Sequence, residues 1–155
     1  LLRDMLQYVK DSTDEEKAKK FNLRPAVGIS AIQVGVNKRM CAVAFEETDK
    51  DGNVVKYEFM LVNPKIVSRS VQPAYLESGE GCLSVENEHE GYVVRNARVT
   101  IRAFDLVQNQ DVEIRARGYI AIVLQHELDH MDGILFYDHI NKKEPNKPIE
   151  GALVL

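Results

Sequence analysis

The sequence predicts an α+β fold in which mostly antiparallel β-strands pack around a buried C-terminal helix, with a further helix at the N-terminus. Three observations carry this. Apolar residues recur at helical spacing before residue 10, alternate at period two through much of residues 39–114, and appear on every side of Tyr119–Met131. Elements of one kind are grouped rather than interleaved, which argues against a doubly wound parallel sheet. At 155 residues and 45% apolar content, residues 1–155 are expected to form a single domain with one core.

Leu2, Met5, Leu6 and Val9 recur at intervals of three and four, with Asp4, Gln7 and Lys10 between them, which reads as an amphipathic helix. The S-T-D-E-E-K-A-K-K run reads as a second helix with Ser12 or Thr13 as N-cap, Glu15 and Glu16 at the favourable end of its dipole, and a solvated charged face. Arg24-Pro25 ends it. In A-V-G-I-S-A-I-Q-V-G, small residues let another element or a ligand approach the backbone, and Gln33 offers an amide; a packed loop with an incidental Gln fits that stretch equally well.

Arg39–Glu46 reads as a strand, Asp49–Asn53 as a turn around Asp51-Gly52, and Val55, Tyr57, Phe59 and Leu61 as the returning strand of a hairpin. Asn63-Pro64 interrupts the pattern, a third short strand is expected from Ile66 to Val71, and Pro73 closes it. In the irregular E-S-G-E-G-C-L-S-V that follows, Gly79 and Gly81 bracket Glu80 and free the backbone before Cys82. Tyr92–Arg95, then Val99, Ile101 and Ala103, then Val112 and Ile114 give three more strands, the last two joined by a polar turn. Tyr119–Met131 is the buried helix, Gly133 its C′ residue, Leu135-Phe136-Tyr137 an extended packing segment, and the tail from Asn141 a surface coil.

A net charge of −4 argues against a protein that grips phosphate backbones, so no direct nucleic-acid binding is expected. The two cysteines, Cys41 in apolar and Cys82 in polar surroundings, lack the spacing of a secreted disulfide scaffold and fit a reducing cytoplasm. The chain carries neither a membrane-spanning apolar run nor a signal-peptide pattern, and it begins at Leu1 rather than Met.

The chemistry concentrates in Q-H-E-L-D-H. His126 and His130 stand four residues apart, on one face of a helix at 3.6 residues per turn, with Glu127 between them. Two neutral imidazoles suit a borderline metal, and the adjoining carboxylate can move protons, which together point to metal-assisted hydrolysis. A pair of core histidines is the blander alternative. A tetrahedral site with one open position needs a third protein ligand, for which His139, Cys82, His89 and the acids after residue 137 are candidates. One peptidase class continues its motif as H-E-x-x-H-x-x-G-x-x-H; this chain follows through Gly133 and then has Phe136 in the last place. Another class takes a Glu from a later helix, but Glu144 and Glu150 stand among prolines and lysines with no helical pattern. Cys82 is the better candidate, since a thiolate between glycine-rich turns is a strong donor, an ordinary buried thiol being its plainer reading. Asp129 could orient an imidazole or be an exposed helix carboxylate.

E-G-C-L-S at Glu80–Ser84, Q-H-E-L-D-H at Gln125–His130 and the glycine–alanine stretch ending in Gln33 together resemble the peptide deformylases, which remove the formyl group from the N-terminal methionine of new bacterial and organellar proteins. The resemblance covers nearly the whole chain. It implies Cys82, His126 and His130 as metal ligands, Glu127 as general acid and base, and Gln33 with the backbone N–H of Leu83 as donors to the formyl oxygen. It further implies Val27, Gly28, Ile122 and Val123 near the methionine side chain, and Glu80 with Arg95 as a supporting ion pair. Sulfur and two nitrogens would ordinarily suggest zinc; the resemblance implies ferrous iron, Fe(2+), as the working ion, with Zn(2+), Ni(2+) or Co(2+) able to occupy the site. The partners implied are nascent formyl-methionyl polypeptides near the ribosome, in the cytoplasm, with no membrane involved.

The chain departs from the usual G-x-G-x-A-A-x-Q motif at Ala26 and Ser30, and has Met131 for a customary Leu. Ser30 brings a hydroxyl that must find a partner. The Ala26–Gln33 loop, the insertion-like N-E-H-E-G at Asn87–Gly91 and the F-Y-D-H-I ending resemble the Gram-positive-type subclass, and the family pattern implies a further segment before the first helix. H-E-x-x-H alone would fit another small metallohydrolase, and Ala26 with Ser30 would fit a non-catalytic relative.

Overall fold

The computed structural model describes residues 1–24, 26–82 and 91–155. The elements in order are α1 (Leu2–Ser12), α2 (Glu15–Phe21), β1 (Gly28–Ser30), β2 (Met40–Thr48), β3 (Val54–Arg69), β4 (Pro73–Tyr75), β5 (Arg95–Asn96), β6 (Arg98–Asp105), β7 (Gln110–Arg117), α3 (Tyr119–Met131) and β8 (Leu153–Val154). Short 3-10 helices occupy Ala31–Val34 and Phe136–His139. One sheet has the order β1-β2-β3-β6-β7 and a second the order β5-β4-β8. β1–β2, β2–β3 and β4–β5 pair antiparallel and β4–β8 parallel, so the expected α+β architecture with mostly antiparallel strands is observed. The chain groups into two compact units, Leu1–Pro64 with Ala103–Val112, and Lys65–Arg102 with Glu113–Leu155.

In the first unit, the α1 stripe of Leu2, Met5, Leu6 and Val9 is buried against Ile29, Ala42, Ala44 and Met60. Each such side chain removed from water contributes about 1.5–3 kcal/mol, and that burial holds a helix with no side-chain N-cap. The hairpin closes at Asp49, whose Oδ1 accepts the N–H groups of Asp51 and Asn53 at 2.9 Å, and at Gly52, which takes a left-handed φ of 81°. Asp105, fully buried, accepts from Met60 N at 3.0 Å, Val107 N at 3.1 Å and Gln108 Nε2 at 3.0 Å. A buried carboxylate is tolerable because its lone pairs are answered by three donors.

In the second unit, Ile122 of α3 packs on Ala74 and Ala97. Gln125, also buried, clamps the helix to β5: its Oε1 accepts from Asn96 N at 2.9 Å and its Nε2 donates to Asn96 O at 2.8 Å. α3 ends at Gly133, whose φ of 74° lets Ile134 N donate back to Asp129 O at 2.9 Å. Gly91 allows a close approach that no other residue would. A Cβ there would lie 2.6 Å from Ile140 Cγ2 and 2.9 Å from Pro145 Cβ.

Several expectations are corrected. Ser12 belongs to α1, donating to Val9 O at 2.7 Å and accepting from Ala26 N at 3.0 Å, and Thr13 is its C-cap; Asp14 caps α2, accepting from Lys17 N at 3.1 Å. A carboxylate directly before the helix does the capping that either hydroxyl was expected to do. Asn63-Pro64 does not divide the strand: Asn63 takes a left-handed φ of 51° and donates from its backbone N–H to Arg39 O at 2.8 Å, so β3 runs on for 16 residues. Asn tolerates that conformation without the penalty a branched residue would incur. Pro73 opens β4 rather than closing a strand, and the strand expected over Tyr92–Arg95 is confined to Arg95–Asn96. Gly28–Ser30, read as a stretch that another element or a ligand approaches and given no strand, pairs with Val43–Cys41. Phe136 to His139 curl into a 3-10 turn instead of an extended segment, and the tail contributes β8 beside β4.

Replacing Asp105 by Ala would strand the buried N–H of Met60 and should lower the unfolding free energy by about 1–3 kcal/mol in urea denaturation. Glu16→Ala, on α2 with no buried residue, should stay within about 0.5 kcal/mol.

Candidate metal centre

α3 brings the first part of the site together by its own period. His126 and His130 are one turn apart, their rings edge to face with centroids 4.9 Å apart, and their Nε2 atoms 3.2 Å apart. Cys82 Sγ lies 3.1 Å from His130 Nε2, and the three donor atoms are all within 4.8 Å of one another. The cysteine is carried there by the turn at Gly79, whose φ is 77° and whose missing Cβ makes room for Gly91 O at 3.2 Å. Gly81, also expected to free this backbone, has no positive φ.

Two imidazole nitrogens and a sulfur that close together need a proton or a cation among them. Their separations approach the edges of about 3.3–3.5 Å expected for nitrogen and sulfur donors around one tetrahedral ion. A thiolate and two imidazoles also match the preference of first-row divalent metals. The residues therefore fit a metal.

Glu127 follows His126 directly and is 4% exposed, a carboxylate set in a largely dry surrounding beside the donor cluster. Behind the cluster stands Glu80, whose Oε1 is 2.9 Å from His126 Nδ1. Arg95 forks onto both oxygens of that carboxylate, Nε to Oε2 and Nη2 to Oε1, each at 2.8 Å. β5 fixes Arg95 by pairing it with Ala74 of β4. Since a carboxylate held in this way accepts, His126 keeps a proton on Nδ1, which leaves Nε2 as the atom that faces His130 and a metal.

Burial opposes charge on all three of these groups, and pairing overrides it. Contacts with Cys82 and Glu80 and the charges of Glu127 and Glu80 lift His126 from 6.5 to about 9. Glu80 is held below the usual carboxylate range by its bonds to His126 and Arg95, and Arg95 is raised by Glu80 and Asp129.

Of the other expected site residues, Ile122 and Val123 are buried in the first turns of α3, Ile122 in the core of its unit. Gln33 lies in the 3-10 helix Ala31–Val34, where its Oε1 accepts from Ser30 N at 2.8 Å and the pair forms a capping box. Ser30, a departure from the family motif, thereby finds its partner. Val27 and Gly28 lead into and open β1, Val27 O accepting from Ala44 N at 3.0 Å. Leu83, expected as a backbone donor, and His89, a candidate ligand, lie outside the described residues. His139, another candidate ligand, instead places Nε2 2.8 Å from Asp129 Oδ2, and Asp129 also accepts from Arg95 Nη1 at 2.8 Å. Asp129 thus orients an imidazole outside the Cys82, His126, His130 cluster. Sequence reasoning missed Phe136, whose ring stacks on His126 at 6.1 Å between centroids and 15° between planes. Its signal was present: the longer peptidase motif places a third His at that position, so the turn after Gly133 aims this residue at the histidine face whatever its identity.

The sequence model of the polypeptide deformylase family matches residues 1–146. The chain belongs to that family. Its deformylase relatives include the peptide deformylase of Oceanobacillus iheyensis, 54% identical over 94% of this chain and 76% of its own length. The peptide deformylase of Staphylococcus epidermidis is 53% identical over 98% and 81%, and peptide deformylase 2 of Bacillus subtilis 47% identical over 99% and 81%. These sources bear out the expected likeness to the Gram-positive type. Among solved structures, peptide deformylase from Ehrlichia chaffeensis in complex with actinonin is 30% identical with a TM-score of 0.65, over 92% of this chain and 77% of that one. A probable peptide deformylase from Synechococcus phage S-SSM7 is 31% identical with a TM-score of 0.64, over 90% and 86%. As a deformylase the chain is a hydrolase, and family and donor set together support one divalent metal.

Replacing Arg95 by Met would leave Glu80 buried without its counter-ion and should cost about 3–5 kcal/mol of stability, read by denaturant titration of metal-free protein. The raised pKa of His126 predicts a pH effect of definite sign. Without metal its contribution to stability is fully present below pH 6.5 and lost as pH climbs through about 9, so thermal midpoints in a chelator should fall across that window and His126→Gln should flatten the fall.

Proposed function

We propose that this chain removes the N-formyl group from formyl-methionyl ends of nascent polypeptides, with Cys82, His126 and His130 holding the metal and Glu127 moving the protons. The observation that carries the reading is the convergence of one sulfur and two ring nitrogens within 4.8 Å beside a buried glutamate. The match of the family model to residues 1–146 supports treating residues 1–155 as one catalytic domain.

A formyl amide is a poor electrophile, and a divalent metal in this donor set, when bound, supplies Lewis acidity and makes hydroxide available near neutral pH. Glu127 accepts the proton that water gives up as its oxygen attacks the formyl carbon, then delivers a proton to the departing nitrogen as the C–N bond breaks. Formate and a free amino terminus leave, so the atoms of one water molecule are divided between the two products. Burial of Glu127 keeps bulk water from competing for the proton it carries. His126 and His130 keep their lone pairs turned inward, and Glu80 with Arg95 holds the first of them there.

The formyl oxygen gains charge during attack, and positioned donors at such a point are worth about 3 kcal/mol each. The family motif assigns that work to the Gln33 side chain and the Leu83 N–H. Val27, Gly28, Ile122 and Val123 are assigned to the methionine side chain on the same basis. Ferrous iron is the proposed working ion, with zinc, nickel or cobalt able to use the same donors. We place the reaction near the ribosome in the cytoplasm, where new formylated chains appear; among the described residues no helix is long and apolar enough to cross a membrane.

Glu127→Ala should lower kcat for formate release by at least about 100-fold while metal analysis shows one ion per chain retained. Turnover within a few-fold of wild type would remove Glu127 from its role. Cleavage of unformylated peptides at internal bonds would point instead to a peptidase.

A further inference from the structure

The four-residue 3-10 turn after α3 touches the His126 system from two directions. At its start, Phe136 lays its ring against the face of the His126 imidazole. At its end, His139 meets Asp129, its Nε2 2.8 Å from Oδ2. An ionised carboxylate only accepts, so His139 is the donor there. The same Oδ2 accepts Arg95 Nη1 at 2.8 Å; Arg95 grips Glu80 at two points; and Glu80 takes the Nδ1–H of His126 at 2.9 Å. Five side chains therefore stand in series from His139 to the imidazole, each joined to the next at 2.8–2.9 Å.

We infer that this turn is a positioning element for His126: Phe136 sets the plane of the ring, and His139 sets its Nδ1 edge through Asp129, Arg95 and Glu80. The inference rests on the reading of Cys82, His126 and His130 as metal ligands. The exposures along the series explain why its outer end matters. Arg95 and Glu80 are 2% and 4% exposed and have nowhere to go, but Asp129 is 23% exposed and His139 34%. Asp129 is the member that water can draw away, and His139 is the donor that holds it against Arg95. Losing that donor frees Asp129 to rotate, leaves Arg95 Nη1 short of an acceptor, and lets the fork on Glu80 relax. The effect reaches the metal as a misplaced Nε2 rather than as a lost ligand. Because His139 borders an open cleft of about 430 Å³, its truncation removes a hydrogen bond without emptying a core.

A plainer role, a surface histidine paired with a nearby acid, predicts no effect at the donor cluster, and cobalt separates the two. Metal-free protein is titrated with Co(II) against a competing chelator while the thiolate-to-cobalt and d–d absorption bands are recorded for wild type, His139→Ala, His139→Phe and His139→Gln. Phe keeps the ring volume without the N–H and serves should Ala fold poorly; Gln keeps a donor. The expected result is about tenfold weaker cobalt binding with shifted d–d bands in the Ala and Phe variants, recovery in the Gln variant, and unchanged melting of the metal-free forms. Wild-type affinity and bands in the donor-less variants, or a loss that Gln does not rescue, overturns the inference while leaving the ligand reading intact. A wild-type chain that takes up cobalt without a thiolate band overturns the ligand reading, and this inference with it.

Discussion

The site depends on one buried ion pair. Arg95 and Glu80 meet through two parallel hydrogen bonds of 2.8 Å with almost no water around them. Removing two charges from water costs several kcal/mol per ion unless their polar atoms are answered, and here every side-chain nitrogen and oxygen of the pair has a partner. Glu80 receives two of the three guanidinium nitrogens and the His126 N–H; Arg95 gives its third nitrogen to Asp129. Such a pair adds little net stability compared with apolar packing. What it contributes is definition: the carboxylate cannot rotate, so the imidazole behind which it stands cannot change tautomer.

The supports for that pair are local and of ordinary kinds. β5 sets Arg95 by pairing it with Ala74, Gln125 ties α3 to the next residue's backbone, and Ile122 seats the helix on Ala74 and Ala97. In the other unit, the α1 stripe closes over β1, β2 and Met60, while Asp105 gathers three donors in its interior. Each unit thus combines an apolar contact that supplies most of the energy with a polar clamp that fixes one arrangement.

Periodicity was enough to read α1, α3, the β2–β3 hairpin and the β6–β7 pair, because in each the pattern of apolar residues reports directly which face is buried. It was blind where conformation depends on a partner remote in sequence. Asn63 looks like an interruption until Arg39 O is seen to receive its N–H, and the tail looks like coil until β4 offers it an edge. The donor cluster was legible through the spacing of His126 and His130, which a helix converts into proximity. Cys82 needed a motif, since nothing local reveals that a loop 44 residues before His126 returns to it. The contact between Asp129 and His139 had no pattern to announce it: one lies within the helix and the other follows it, and the turn at Gly133 brings the second back to the first.

The placement of so much chemistry on α3 has a consequence for how this gene can vary. Gln125, His126, Glu127, Asp129 and His130 work from one helix, each on the face its number assigns it, and one inserted or deleted residue upstream within that helix would rotate all of them by about 100° relative to what they meet. Point changes can remove these functions one at a time, but a single-codon length change would remove them together. In the stretch of 141–152, where no helix or strand stands, the same event would shift only coil. The stretch proposed to carry the reaction is therefore tolerant of neither gain nor loss of a codon, and family members are expected to keep its length even where they change its letters.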